Sequence, residues 1–270
     1  MKITNKTFVV TGGGGGIGGE LVKQLLARGA RVAAVDLREE NLAAIQSEVG
    51  DNASKLSVHA LNISDKDAVY GLLDAVVAAH GDIDGLINCA GIIQPFVKVN
   101  DLDYEAIERV MNVNFYGTLY MTKAFLPKLL QRDEAHIVNV SSMGGFLPVP
   151  GQSVYGASKA AVKLMSEGLY AELLDTNVHV SVVFPGATAT DISKNSDVAT
   201  PTNTSSAKQS SFKMLPAEEA ARSILDGVER DKLYIYTGKD SRMMNKLYRL
   251  NPGYATRLIA KQMSSLLKTS

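Results

Sequence analysis

Tyr155 and Lys159 stand four positions apart in Tyr155-Gly156-Ala157-Ser158-Lys159, a spacing that puts both side chains on one face of a helix about one turn apart. A phenol near its ordinary pKa of about 10 is a poor base at neutral pH. A neighbouring ammonium favours the phenolate and lowers that value, so the pair could take a proton from an alcohol or return one to a ketone. A Tyr-x-x-x-Lys match is common by chance. Its place after a predicted strand, thirteen residues beyond Ser142, gives it weight.

A second chemical signal lies near the amino terminus. Thr11-Gly12-Gly13-Gly14-Gly15-Gly16-Ile17-Gly18-Gly19 follows an apolar strand directly and opens an amphipathic helix carrying Leu21, Val22, Leu25 and Leu26. Glycine lets a backbone turn sharply and approach a pyrophosphate, whose charge then sits against the amides at the helix start. Asp36, 24 positions after Gly12, ends the next strand. A carboxylate there accepts hydrogen bonds from the adenosine ribose hydroxyls and repels a 2′-phosphate, which selects NAD over NADP. Arg38 tempers that preference because it could partly accommodate a phosphate, although a solvated role at a helix start is the plainer one.

Strand ends and helix starts must hold these groups, and the pattern supplies them. Short β-branched runs at Thr7–Thr11, Ala30–Asp36, Lys55–Ala60, Gly85–Ala90, His136–Ser141, His179–Phe184 and Leu233–Thr237 predict seven strands. Several are apolar at consecutive positions, as in parallel strands covered on both faces. Helical periodicity occupies Ile17–Arg28, Glu40–Val49, Lys66–His80, Tyr104–Leu130, Tyr155–Leu174 and Ala217–Glu229. This alternation predicts an α/β, doubly wound parallel sheet with helices on both faces. A Ser/Thr/Asn/Lys-rich stretch, Ser193–Ser211, breaks the pattern after a strand end and reads as a lid over a pocket.

Composition narrows the function classes. The 28 basic and 28 acidic side chains give no global field to recruit nucleic acid. A single cysteine excludes an internal disulfide, and four scattered histidines without Cys-x-x-Cys give no zinc pattern, so no metal is expected. The apolar strand beginning within seven residues of Met1 leaves no room for a secretory signal, and the chain is read as cytoplasmic. Residues 239–270 carry Lys239, Arg242, Lys246, Arg249, Arg257, Lys261 and Lys268 against Asp240 alone. With Leu258, Ile259, Met263, Leu266 and Leu267 at helical spacing, this basic amphipathic extension could lie on a membrane, cap a substrate pocket or pack on a partner.

Over roughly Lys2 to Gly238 the chain resembles the short-chain dehydrogenase/reductase family in its compact single-domain form. The family's Thr-Gly-x-x-x-Gly-x-Gly falls on Thr11, Gly12, Gly16 and Gly18, and its Asn-Asn-Ala-Gly on Asn88, Cys89, Ala90 and Gly91. Cys89, the one substitution, reads as a small packing residue. The family's tetrad falls on Asn114, Ser142, Tyr155 and Lys159, and its Pro-Gly-x-x-x-Thr on Pro185, Gly186 and Thr190. An adenine-side aspartate is replaced by Asn62.

The resemblance implies a seven-stranded Rossmann-type NAD-binding catalytic domain over residues 1–238, with 239–270 as an extension rather than a domain. It places Gly12, Gly16, Ile17, Gly18, Asp36, Asn62, Ile63, Asn88, Ala90, Gly91, Tyr155, Lys159, Pro185, Gly186, Thr188 and Thr190 at the cofactor. Tyr155 would transfer the substrate proton while Lys159 holds the ribose and lowers the phenol pKa. Ser142 would meet the substrate oxygen, and Asn114 would fix a water that passes protons from Lys159. A homodimer or homotetramer paired through the long helices is implied as well. Phe146-Leu147-Pro148-Val149-Pro150 before Tyr155, and Phe212, Met214 and Leu215 after the lid, predict an apolar alcohol or ketone. Two other readings fit the residues: a lyase or epimerase with no net redox change, and a non-catalytic NAD-binding module whose tail recruits a membrane or partner.

Overall fold

The computed structural model describes residues 1–196, 198 and 214–264. Its strands are β1 (Thr7–Thr11), β2 (Arg31–Asp36), β3 (Leu56–Ala60), β4 (Gly85–Asn88), β5 (Ala135–Val140), β6 (Val178–Pro185), β7 (Thr188–Ala189), β8 (Leu215–Pro216) and β9 (Tyr234–Thr237). Seven of them form one parallel sheet in the order β3-β2-β1-β4-β5-β6-β9, while β7 and β8 pair separately. The helices are α1 (Gly16–Ala27), α2 (Glu39–Glu48), α3 (Lys66–His80), α4 (Tyr104–Met111), α5 (Thr118–Leu129), α6 (Ser153–Glu172), α7 (Ile192–Asn195), α8 (Ala217–Val228), α9 (Lys239–Leu250) and α10 (Pro252–Gln262).

Strand sequences explain the layering. In β1, Phe8 and Val10 face one side while Val9 faces the other, and β2 repeats this with Val32 and Ala34 against Ala33 and Val35. One face packs on Leu21, Val22, Leu25 and Leu26 of α1 and on Ile224, Leu225 and Val228 of α8. The other takes Val69, Leu72 and Val76 of α3 with Met121, Phe125 and Leu129 of α5. A strand buried on both faces has no polar side, so its sequence shows no alternation. The strand order departs in opposite directions from β1 and β4, and their C-terminal ends open a crevice at that switch point.

One expectation needs correction, one lies largely outside the described residues, and one open choice gains an observation. The helix expected over Tyr104–Leu130 is interrupted by a π-helical turn at Asn112–Gly117, where the wider i→i+5 winding re-aims the backbone. The expected lid is described only at its start: Ser193–Asn195 lie in α7, Ser196 is buried beside Ile93, and Asp197 and 199–211 fall outside the described residues, as does Phe212. The C-terminal extension forms a helix pair whose apolar stripe turns inward. Met244, Ala255 and Ile259 enclose Leu147, and Met143, Phe146, Leu247, Tyr248, Leu258 and Met263 pack around them.

The inner face of the extension is therefore packed on the segment after Ser142. Leu266, Leu267 and Lys268 lie outside the described residues. Ser241 donates to the Phe184 carbonyl at 2.8 Å, and Asn251 caps α10 by accepting from the Tyr254 amide at 2.9 Å. Among the described residues no helix is long and apolar enough to cross a membrane.

His136 on β5 is fully buried. Its Nε2 lies 2.8 Å from Ser181 Oγ, and its Nδ1 faces Asp231 Oδ1 at 3.7 Å. Burial pushes its pKa down to about 3, against the pull of Asp231. The unfolded chain binds a proton there near pH 6.5 and the folded chain does not, so stability must fall as pH drops from that value toward 3. Thermal unfolding between pH 7.5 and 4 should show this decline in the native protein. In His136→Gln the acid limb should be shallower, and an unchanged limb would assign the decline to other groups.

Candidate active site

The cleft begins where β1 ends. Gly12 has φ +67°, and a Cβ there would stand 2.9 Å from the Ala90 Cα, so the glycine permits the turn and the close approach of β4 together. At Gly18 a Cβ would land on the Gly12 carbonyl oxygen. Thr11 Oγ1 binds the turn to the loop after β4 by accepting from the Cys89 and Ala90 amides at 3.0 and 3.1 Å. Asp36 Oδ2 accepts from the Gly14 amide at 3.0 Å, and Oδ1 from the Arg38 amide at 3.1 Å. A carboxylate offers about four lone-pair sites, so capacity remains for ribose hydroxyls.

A cavity of about 850 Å³ runs from Asp36, Asn62 and Ile63 past Gly12, Gly16, Ile17 and Gly18 to Ala90, Gly91, Ser142, Tyr155 and Lys159, ending at Pro185, Gly186, Thr188 and Thr190. These residues fit a dinucleotide. The floor at the turn is bare backbone because Gly12 and Gly18 leave no room for a side chain, and a Cβ at Gly15 would meet nothing within 4 Å. Asn62 Oδ1 is committed to Ser64 through its amide at 3.0 Å and hydroxyl at 2.8 Å, leaving the Asn62 amide nitrogen to meet a ligand.

Asn88 does not join this group. It is buried at the end of β4, where its Nδ2 donates to Asn139 Oδ1 at 2.9 Å and Thr122 Oγ1 at 3.3 Å. Expected at the cofactor, it belongs to the polar core that links β4, β5 and α5. Cys89 is half-buried in the wall of the cleft, and burial pushes its thiol up to about 12, which keeps it protonated.

Tyr155 lies in the first turn of α6 and Lys159 one turn on. Ser142 follows β5 in extended conformation, and its Oγ accepts from the Gly144 amide at 3.0 Å. Lys159 Nζ donates to the Val140 carbonyl at 3.0 Å, and Ser141 Oγ donates to the Lys159 carbonyl at 2.7 Å, so β5 positions α6 directly. Burial lowers Lys159 to about 8. Tyr155 moves opposite to the sequence expectation: burial raises its pKa, and only the Ser142 hydroxyl beside it pulls the other way. The ammonium is engaged by the strand-end carbonyl, and desolvation of the phenolate dominates.

Asn114 is fully buried inside the π-helical turn. Its Oδ1 accepts from the Ile92 amide at 2.8 Å, while Nδ2 donates to the Ile92 carbonyl and Ser158 Oγ, both at 2.9 Å. Both side-chain amide hydrogens are therefore spent, and holding a water would fall to a lone pair of Oδ1 or of the Asn114 carbonyl, which accepts from Thr118 Oγ1 at 2.8 Å. What Asn114 visibly does is clamp the loop after Gly91.

Sequence reasoning missed two groups that shape the site. Gln94 is fully buried and bonds the start of α6. Asp240, the tail's one acid, accepts from the Ala187 amide at 2.8 Å and so ties the extension to the loop carrying Pro185, Gly186 and Thr188. A buried glutamine inside the apolar run Ile92-Ile93-Gln94-Pro95-Phe96 was a usable signal. The Asp240 contact was not, since nothing local pairs it with Ala187.

Comparison with known proteins agrees with this geometry. The family described as short chain dehydrogenase matches residues 6–200. A 3beta-hydroxysteroid dehydrogenase 2 from Eggerthella lenta is 34% identical over 191 residues, 70% of this chain and 74% of that protein. A short chain dehydrogenase/reductase from Burkholderia phymatum, solved in complex with NAD, superposes with a TM-score of 0.82 at 25% identity, covering 93% of this chain and 96% of that one. A short chain dehydrogenase from Burkholderia cenocepacia J2315, solved with NADP, gives 0.80 at 29% identity, covering 96% and 99%.

Gly18→Ala should weaken NADH binding roughly tenfold or more, since relieving an overpacked methyl costs about 1–3 kcal/mol. Fluorescence titration with NADH checks this. Native affinity would show that the turn moves freely away from Gly12.

Proposed function

The chain belongs to the short-chain dehydrogenase family, whose oxidoreductases act on CH–OH groups with NAD(P), and we propose that it interconverts an apolar secondary alcohol and its ketone with NAD in preference to NADP. One observation carries the reading: Ser142, Tyr155 and Lys159 converge at one end of a single cleft whose other end holds Asp36. When bound, the nicotinamide cofactor would take a hydride from the alcohol carbon or return one to the ketone. Gly12, Gly16, Ile17 and Gly18 would cradle its phosphates, Asp36 its adenosine ribose, and Asn62 and Ile63 its adenine side. Lys159, Ala90 and Gly91 would hold the nicotinamide half with Pro185, Gly186, Thr188 and Thr190.

The chain's own residues handle the proton. Tyr155 takes it from the alcohol hydroxyl and gives it back to the ketone oxygen. Ser142 donates to that oxygen as charge develops there. Lys159 keeps its ammonium below its pKa of about 8, where the Val140 carbonyl holds it and it would meet the ribose hydroxyls, while the Ser142 hydroxyl is the group that pulls the phenol toward ionisation against burial.

NAD preference rests on the Asp36 carboxylate, held toward the turn by two amides, where a 2′-phosphate would meet like charge. The apolar substrate rests on the partly exposed Met143 and Phe146, which follow Ser142, and on the steroid named for the Eggerthella lenta relative. We propose a cytoplasmic homo-oligomer paired through α5 and α6, with Leu164 on α6 69% exposed and Leu130 and Leu174, just beyond the ends of α5 and α6, 46% and 63% exposed. Any membrane contact of the extension would fall to its exposed Met243, Leu250 and Tyr254 beside the basic side chains, because the inner stripe is already packed.

Tyr155→Phe should lower turnover roughly 10²-fold or more while leaving NADH affinity within about twofold. Assays of linear, cyclic and steroidal secondary alcohols at the nicotinamide absorbance check it, and a native rate would remove Tyr155 from the chemistry. Product formation without net NADH would identify a lyase or epimerase instead. Asp36→Ala should narrow the NAD to NADP ratio of kcat/KM about tenfold, the scale of a lost charge-assisted hydrogen bond. An unchanged ratio would place the ribose contact elsewhere.

A further inference from the structure

Helix α6 starts without the usual help. The first amides of a helix have no partner within it and are normally met by a Ser, Thr, Asp or Asn at the N-cap. Here the N-cap residue is Gln152, whose side chain makes no cap. Instead it donates through Nε2 to the Gln94 carbonyl at 2.8 Å.

Gln94 comes from another part of the chain, three residues beyond Gly91. Its Oε1 accepts from the Val154 and Tyr155 amides at 2.8 and 2.9 Å. Its Nε2 donates to the Gly151 carbonyl at 3.0 Å. Both Gln94 and Gln152 are buried, at 0% and 4% exposure, so water cannot replace these bonds.

The loop that delivers Gln94 is itself fixed at each step. Asn114 holds Ile92 by both its amide and its carbonyl, and the Ile93 amide donates to Ser196 Oγ at 2.9 Å. The backbone nitrogen of Tyr155 is thereby tied to the loop that follows the cofactor-facing Ala90 and Gly91. A phenol must be placed to within a fraction of an ångström to share a proton with a reacting oxygen, and its Cα is set by this cap.

We infer that Gln94 is a positioning residue for proton transfer: capping α6 from outside the helix, it sets Tyr155 against Ser142 and Lys159. The inference rests on the reading of Tyr155 as the proton-transferring group. Gln94→Leu keeps the side-chain bulk and removes the acceptor. Gln94→Glu can reproduce the whole pattern only when protonated, with one oxygen accepting from the two amides and the hydroxyl donating to Gly151.

The test measures amide hydrogen exchange over residues 153–159, NADH affinity by fluorescence, and turnover of whichever panel alcohol or ketone the native enzyme accepts. Gln94→Leu should speed exchange in that first turn and lower kcat roughly ten- to hundredfold, with NADH affinity within about twofold. Gln94→Glu should approach the native rate of ketone reduction in acid and lose it as the carboxyl ionises, a pH-dependent rescue that a purely structural role does not produce. Adding Gln94→Leu to Tyr155→Phe should cost little more than Tyr155→Phe alone, because residues acting as one unit are not additive.

Native exchange in Gln94→Leu would overturn the cap. Faster exchange with a native kcat would overturn the positioning role. If Gln94→Leu does not fold, Gln94→Glu decides: a rate that tracks the native enzyme at every pH overturns the inference. A native rate in Tyr155→Phe alone would instead defeat the reading of Tyr155 and leave the cap to the exchange measurement.

Discussion

The site depends on one close approach, where the turn after β1 lies against the start of the loop after β4. Gly12 and Ala90 come so near that no side chain fits at Gly12, and Thr11 spans the gap with two hydrogen bonds to backbone amides. That contact forms because β1 and β4 are neighbours in the sheet although 74 residues separate Thr11 from Gly85. The neighbour relation is the switch point, so the same arrangement opens the crevice and lines its floor with bare backbone. A dinucleotide needs both features, since its phosphates carry charge that backbone amides can meet only at close range.

From that floor the catalytic end is built by relays rather than by single contacts. β5 holds Lys159 through the Val140 carbonyl and through Ser141. The π-helical turn holds Ile92 through Asn114 and also reaches α6 through Ser158. Gln94 then carries the loop to the Tyr155 amide. Each relay is a buried polar group with its partners supplied, as burial requires. Burial is also why the two titrating side chains depart from their ordinary values in opposite directions. Removing water penalises the charged form, which is the phenolate for Tyr155 and the ammonium for Lys159.

The C-terminal helix pair is part of this construction. Its one acid, Asp240, meets the Ala187 amide at the far end of the cleft, and its apolar residues cover Leu147 five positions after Ser142. Phe146 forms the hinge of that cover, with Phe184, Tyr236 and Tyr248 rings at 5.5, 6.4 and 6.5 Å. A sequence of mixed basic and apolar residues is thus spent on two surfaces, one packed and one facing solvent, and the cationic stripe on the outside gives no hint of what the inside touches.

The sequence by itself determined the sheet and most of the cleft. Local signals act over a few residues: the unbroken apolar runs of β1, β2 and β5, the glycines opening α1, the i,i+4 spacing of Tyr155 and Lys159. Each of the seven strands in the main sheet lay within two residues of its expected limits. Tertiary structure decided what depends on partners distant in the chain. Asn88 looks like a cofactor residue by motif, yet Asn139 and Thr122 claim it for the core. The helix pattern from Tyr104 to Leu130 gave no sign that Asn112–Gly117 widens into a π turn, because hydrophobic periodicity barely changes when one extra residue enters a turn. The Tyr155 pKa direction, the Gln94 cap and the Asp240 contact were likewise illegible. Desolvation and long-range hydrogen bonds are properties of the packed molecule, and no spacing along the chain encodes them.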